Sequence, residues 1–451
     1  MADLNTALVP DAVLIASNLR GIRRRSILPG NWADFPLGNG QRYGQSATNC
    51  RVCLSKAGTN RGVFSRSHHR ARGAISEIAV VVQNWYVDRA GGKLEIPSDG
   101  DLQITMSVEY PAGTFYQLKF EGSPRERVAA GDFLVSDFRS IAIPDDAEFW
   151  TNMWMQAPTG NTIVFFAGDT GQGQVAANGE KLSVGATSAT DSTMATSAAT
   201  AQATGWWPTA IISRTSNKSA IIVKDSIGEG VSDTADTTDA IGSIARSIVG
   251  GAAYINLSQR GDRLELALQS SARRLALLPL SQNGICGLGV NDIGAGRSLS
   301  QIKADMITRW TEVKALLAGS KRVFQTTITP SVITTDAYAT LANQTPATNF
   351  STAGNGTREL LNDWLRDGAP INAGSAVAIG DNSVGTIRAG IMGHPLYSVL
   401  ELADVVESSR NSGKWKVDGT ANKWTADGIH PSTYAYAQIA ASGYLTVAML
   451  A

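Results

Sequence analysis

The sequence predicts two folds in one chain. The first half reads as an antiparallel β-sandwich, jelly-roll-like, and the second as an α/β/α three-layer domain on a parallel sheet. Three observations lead there. At 451 residues the chain is too long for one small core, so two domains are expected. Between residues 73 and 185, short runs of β-branched and aromatic residues follow one another with no helical pattern between them. From residue 219 onward, short apolar runs alternate with helix-spaced stretches, as in a parallel sheet with crossover helices.

Residues 1–72 are expected as an N-terminal arm, because they show little periodicity. Arg20, Arg23, Arg24 and Arg25 make a local basic cluster, read as solvated or as a subunit contact. Cys50-Arg51-Val52-Cys53 has metal-like spacing, and His68-His69 follow. A zinc site needs four ligands in suitable geometry, and adjacent histidines rarely both reach one ion from an extended loop. Two free or loosely paired thiols, Cys50 and Cys53, are therefore expected, and no metal.

Residues 73–204 are assigned to the sandwich. Its strands are read at 78–82, 102–108, 115–120 and 162–166, with Pro111-Ala112-Gly113 as a turn. Trp85, Tyr86, Trp150 and Trp154 are candidates for a sugar-stacking surface; the plainer reading is core or rim aromatics. Residues 184–204 are almost wholly Ala, Thr, Ser and Gly and read as a surface connection.

Residues 205–451 make the second domain. Ala220 to Val223 form an uninterrupted apolar run, which suits a strand buried on both faces at 219–224. A helix is expected near 238–249, with Ile241, Ile244, Ala245 and Ile248 on one face. A strand at 252–257, a helix at 264–275 and a strand at 285–288 follow. Ile302, Met306, Trp310, Val313 and Leu317 then mark the clearest helix, with Ser298 and Gln301 as a capping box and Gly319 as its stop. Strands at 322–328 and 375–380 complete the sheet. Residues 331–357 read as an insertion over its top that could shape a pocket.

Chemistry gathers at three places. Asp225-Ser226-Ile227 lies just past the carboxyl end of the strand at 219–224, where open α/β sheets bind ligands. Gly289-Val290-Asn291-Asp292 follows another apolar run, and Asp427-Gly428-Ile429-His430 stands near the C-terminus. In this order and spacing, these blocks resemble the SGNH hydrolases, the GDSL-type esterase and lipase superfamily. Gly261-Asp262 resembles that family's glycine block. The resemblance covers residues 206–451 and implies a flavodoxin-like α/β/α fold, a serine esterase and no cofactor. One position departs from it: Lys224 stands where the family usually has glycine.

Ser226 is the expected nucleophile, and a hydroxyl needs a base within hydrogen-bond reach. His430 is the best base among only four histidines. His68 and His69 belong to the other domain, and His394 lacks an acidic neighbour at short spacing. Asp427, three residues before His430, can orient its ring. The resemblance implies three oxyanion donors: the backbone N–H groups of Ser226 and Gly261, and the side-chain amide of Asn291. Asp292 is read as a structural hydrogen bonder.

With 39 basic and 39 acidic residues, the chain offers no electrostatic case for nucleic acid or an anionic membrane. No apolar run approaches the length of a membrane span. Residues 1–18 carry Asp3 and Asp11 and lack the basic and apolar regions of a secretory signal. Localisation stays open, an extracellular or virion-associated place reached by another route being compatible with this.

The expected function is a serine esterase that removes O-acetyl groups from a carbohydrate. The alternatives are a carboxylesterase or lipase on small or lipid esters, and a structural or glycan-binding phage-tail or surface component with a relic hydrolase domain. The expected partners are an acetylated glycan and further copies of the chain, joined through the N-terminal half. Residues 205–451 are expected to fold alone and to keep activity on a small acetyl ester.

Overall fold

A computed structural model describes residues 41–451 except 57–58, 89–93, 159–160, 166–171, 320 and 351–355. The arginine cluster at 20–25 lies outside the described residues. A mixed α/β architecture is observed, with a six-stranded parallel sheet and two antiparallel sheets of five and six strands.

The parallel sheet comprises β1 (Cys50–Arg51), β2 (Ser219–Val223), β3 (Ala253–Asn256), β4 (Asn283–Cys286), β5 (Arg322–Thr326) and β6 (Ser398–Leu400). Its order is β1-β3-β2-β4-β5-β6, and every neighbouring pair runs parallel. Without the edge strand β1, this is the order of flavodoxin-like sheets. The chain reverses direction of winding between β2 and β4, so the loop after β2 opens into a crevice.

Alternation explains why these short runs are strands. Ala220 and Ile222 pack with Tyr254, Ile285, Phe324, Ile244 and Ile248 on one face. Ile221, Ile255 and Val323 join Trp310, Val313 and Leu317 on the other. Successive side chains thus enter two cores, each closed by helices. The helix Leu299–Leu316 starts with the expected capping box of Ser298 and Gln301.

Several sequence expectations need correction here. Residues 375–380 do not form the fifth strand from Ser219 onward. Ser375–Ala376 pairs with Ile371–Asn372 in a small hairpin, and β6 takes the place beside β5. Val377 and Ile379 are apolar, yet Ile379 is half exposed, so apolarity misled the assignment. The helix at 264–275 breaks into Leu264–Gln269 and Ala272–Leu275, where Ser271 Oγ bonds back to the Ala267 carbonyl.

The first antiparallel sheet joins Arg42–Gln45, Ala210–Thr215, Ile75–Gln83 and Phe133–Val135, with Arg139–Ile143 also on Ile75–Gln83. The second joins Arg125–Val128, Leu102–Glu109, Glu148–Gln156, Gly62–Arg70 and Lys181–Gly185, with Phe115–Gln117 on Leu102–Glu109. Two of these strands lie in the stretch read as an unpatterned arm. Gly62–Arg70 hid because polar residues within it are buried, Ser65, Ser67, His68 and His69: His69 bonds the Thr48 carbonyl and Thr151 Oγ1.

The two halves exchange strands across the expected boundaries at 72 and 204. Ala210–Thr215, from beyond residue 204, sits inside the first antiparallel sheet. β1, from before residue 73, forms the edge of the parallel sheet beside β3. Buried polar links follow the same route: Arg42 Nη2 donates to Ser219 Oγ at 2.8 Å, and Arg274 pairs with Glu95 at 3.1 Å.

Candidate active site

β2 ends at Val223, and α1 (Ser226–Glu229) begins three residues later. Asp225 caps α1, its Oδ1 accepting the Ile227 N–H at 2.9 Å. Ser226 is thereby the first helical residue, recessed at 4 % exposure.

The opposing piece is the turn at residues 427–430. Asp427 Oδ1 accepts the N–H groups of Ile429 and His430 at 2.9 and 2.8 Å. Its Oδ2 lies 2.6 Å from His430 Nδ1. Gly428 makes the turn possible: its φ is +82°, and a Cβ there would stand 1.9 Å from the Val332 carbonyl oxygen. The Gly428 carbonyl in turn accepts from Trp415 Nε1 and Val332 N, at 2.9 and 3.0 Å.

These contacts settle the ring. A carboxylate only accepts, so His430 Nδ1–H donates to Asp427. His430 Nε2 then accepts from Ser226 Oγ–H, 2.7 Å away. Burial would raise the Asp427 carboxyl, but the His430 ring and the two N–H groups outweigh it and hold it at about 2.

The other three histidines are committed elsewhere. His68 bonds the buried carboxylate of Asp239. His69 is pulled down to about 3 by burial. His394 Nε2 donates to the Ala369 carbonyl at 2.9 Å, and its Nδ1 accepts the Leu396 N–H.

Asn291 reaches the residue after Gly261: its Nδ2 donates to the Asp262 carbonyl at 3.1 Å. The Gly261 loop is tied to the Ser226 strand as well, since Gln259 N donates to the Lys224 carbonyl at 3.1 Å. Arg260 N meets Glu229 Oε2 of α1 at 2.6 Å. Asp292 accepts the Leu264 N–H at 3.1 Å, and burial pushes its carboxyl up to about 6.

The proposed stacking aromatics do not form an open surface. Trp85 is fully buried, edge-on to Phe133 with centroids 5.5 Å apart. Trp154 is 7 % exposed under Arg125, and its Nε1 donates to the Ala189 carbonyl. Trp150 lies between the Arg66 guanidinium at 4.1 Å and the His68 ring at 5.5 Å. Tyr86 packs against the core. Trp150 Nε1 likewise donates to the Asn178 carbonyl at 2.8 Å.

Cys50 and Cys53 are buried free thiols, and burial pushes the Cys50 thiol up to about 12. No cluster of His, Cys, Asp and Glu suited to a metal occurs among the described residues. No helix among them is long and apolar enough to cross a membrane.

Two features of the site escaped the sequence reading. Glu95, from the first half, receives the N–H groups of Arg273 and Arg274. Arg274 then holds Asp262 at 2.7 Å, next to Gly261. Tyr338 belongs to the expected insertion, and its hydroxyl stands over Gly428, 2.9 Å from where a Cβ would be. Its signal was position alone; nothing in composition pointed to the ring.

The C-terminal half resembles the SGNH hydrolases in the order of its blocks. No protein-family model matches the chain, and no curated protein matches it. Among solved structures, a GDSL-like lipase from Bacteroides thetaiotaomicron matches at 12 % identity and TM-score 0.30, covering 50 % of this chain and 84 % of its own. A lipase/acylhydrolase from Enterococcus faecalis matches at 16 % and 0.30, covering 50 % and 92 %. An acetylxylan esterase from Geobacillus stearothermophilus matches at 12 % and 0.31, covering 50 % and 91 %.

Proposed function

We propose that the chain is a serine ester hydrolase with Ser226 as nucleophile, His430 as base and Asp427 as its orienting carboxylate. The observation that carries this is the unbroken line from Ser226 Oγ through His430 to Asp427, at 2.7 and 2.6 Å. As Oγ attacks an ester carbonyl, its proton passes to His430 Nε2, and Asp427 stabilises the imidazolium. The N–H groups of Ser226 and Gly261 and the amide of Asn291 receive the oxyanion. His430 returns the proton to the leaving alcohol, which departs from an acyl-enzyme. Water then repeats the cycle and frees the acid.

For substrate we propose an O-acetylated carbohydrate. Two features support it: a short acyl group suits a nucleophile only 4 % exposed, and the hydrolase-like half is joined to antiparallel sheets that we read as a sandwich. The experiment is acetate release from a panel of acetylated polysaccharides, with p-nitrophenyl esters of rising chain length beside it. Faster turnover of long acyl chains would move the assignment to a lipase. No turnover of any ester, with the fold intact, would leave a structural protein.

A further inference from the structure

Lys224, the departure from the family pattern, has an environment that calls for a reason. It is 3 % exposed, one residue from the cap of α1. Its Nζ donates to the Gly287 carbonyl at 3.0 Å and to Thr326 Oγ1 at 3.2 Å, at the carboxyl ends of β4 and β5. Both acceptors are neutral. The side chain threads a gap that two glycines leave open: a Cβ on Gly287 would stand 2.6 Å from Nζ, and one on Gly228 would stand 2.6 Å from the Lys224 Cβ. Gly287 N donates back to the Val223 carbonyl at 3.0 Å.

A buried cation with neutral partners costs stability, and an apolar residue of similar volume would often be neutral or better. Burial accordingly lowers the Lys224 pKa, with the neighbouring Asp225 opposing. Stability therefore does not account for the residue, and its place does. It joins the strand that delivers Ser226 to the strand that delivers Asn291, from within the low-dielectric floor of the crevice.

We propose that Lys224 is a positioning residue for ester hydrolysis. Its ammonium holds the ends of β4 and β5 in register with the Ser226 turn and lends positive potential where the oxyanion forms. This rests on the serine esterase reading above.

The test uses the full-length chain. Lys224→Met should lower kcat about tenfold or more while KM stays within about threefold. Its melting temperature should stay level or rise, an outcome that a merely structural role forbids. Gly287→Ala keeps the charge but displaces the ammonium, so it should also lower kcat. The double variant should then be no slower than Lys224→Met alone, because both changes act through one contact. A Lys224→Met kcat within about twofold of the parent, or losses that multiply in the double variant, would overturn the proposal. Should Lys224→Met not fold, Lys224→Gln takes its place in the same cycle. Ser226→Ala separates the two readings: if it keeps the parent's activity, the esterase assignment itself has failed.

Discussion

His430 Nε2 stands 2.7 Å from Ser226 Oγ across 204 residues of chain. The contact joins two short turns, each built for it. One is capped by Asp225 at the end of a buried strand; the other is wound around Asp427 and lies under Val332 and Tyr338.

Ser226→Ala should abolish ester hydrolysis, by roughly 10⁴ to 10⁶ in turnover, without loss of fold. The hydroxyl bonds His430 Nε2 at 2.7 Å, and alanine removes a single oxygen there. Circular dichroism and turnover on p-nitrophenyl acetate check this; activity within about tenfold of the parent would refute the nucleophile.

Turnover depends on the His430 ring keeping its Nε2 turned to Ser226 Oγ, and Asp427 fixes that orientation. Asp427→Asn should cut turnover by about 10⁴, because the ring loses the acceptor that sets its tautomer. Stability carries a separate signature. The Asp427 carboxyl is held at about 2 against 3.8, so its contribution is present above about pH 4 and fades as pH falls toward 2. Acid unfolding of Asp427→Asn should lack that part of the slope. A superimposable titration of the two proteins would count against the ion pair.

Asn291→Ala should lower turnover by roughly 10² to 10³ with little change in KM, because an oxyanion donor acts in the transition state. The amide also bonds the Asp262 carbonyl, so the Gly261 loop will loosen with it. A change confined to KM would make Asn291 a substrate-holding group instead.

The fragment 205–451, which the sequence suggested would fold alone, should instead aggregate or melt without cooperativity. It lacks β1 at the edge of the parallel sheet, and it strips the partners from the strand Ala210–Thr215. It also leaves Arg274 without Glu95, although both side chains are buried. In the full chain, Glu95→Ala should cost about 1 to 3 kcal/mol, because Arg274 keeps Asp262 while the N–H groups of Arg273 and Arg274 lose their acceptor. Chemical denaturation measures this, and a loss under about 0.5 kcal/mol would show that water or Asp262 satisfies these donors.

What the sequence determined by itself is local. The apolar run at Ala220 to Val223 suits a strand buried on both faces, and the Ser298–Gln301 pair suits a helix start; Ala220 to Ile222 are so buried, and the capping box forms. Asp427 and His430, three residues apart, already contained their hydrogen bond. Motif order was enough to nominate Ser226, Gly261 and Asn291.

Tertiary structure decided everything that depends on distant partners. Whether Trp85 and Trp154 face water or the core turns on what covers them, which no period in their own strands records. β1 is two residues long and became a strand only because β3 offered it an unpaired edge. Ile379 and Val384 are apolar yet exposed, while the lysine at 224 is buried. Burial is a property of the assembled neighbourhood: Lys224 fits because Gly228 and Gly287, 4 and 63 residues away, leave its path empty. Such gaps exist only once the strands are side by side.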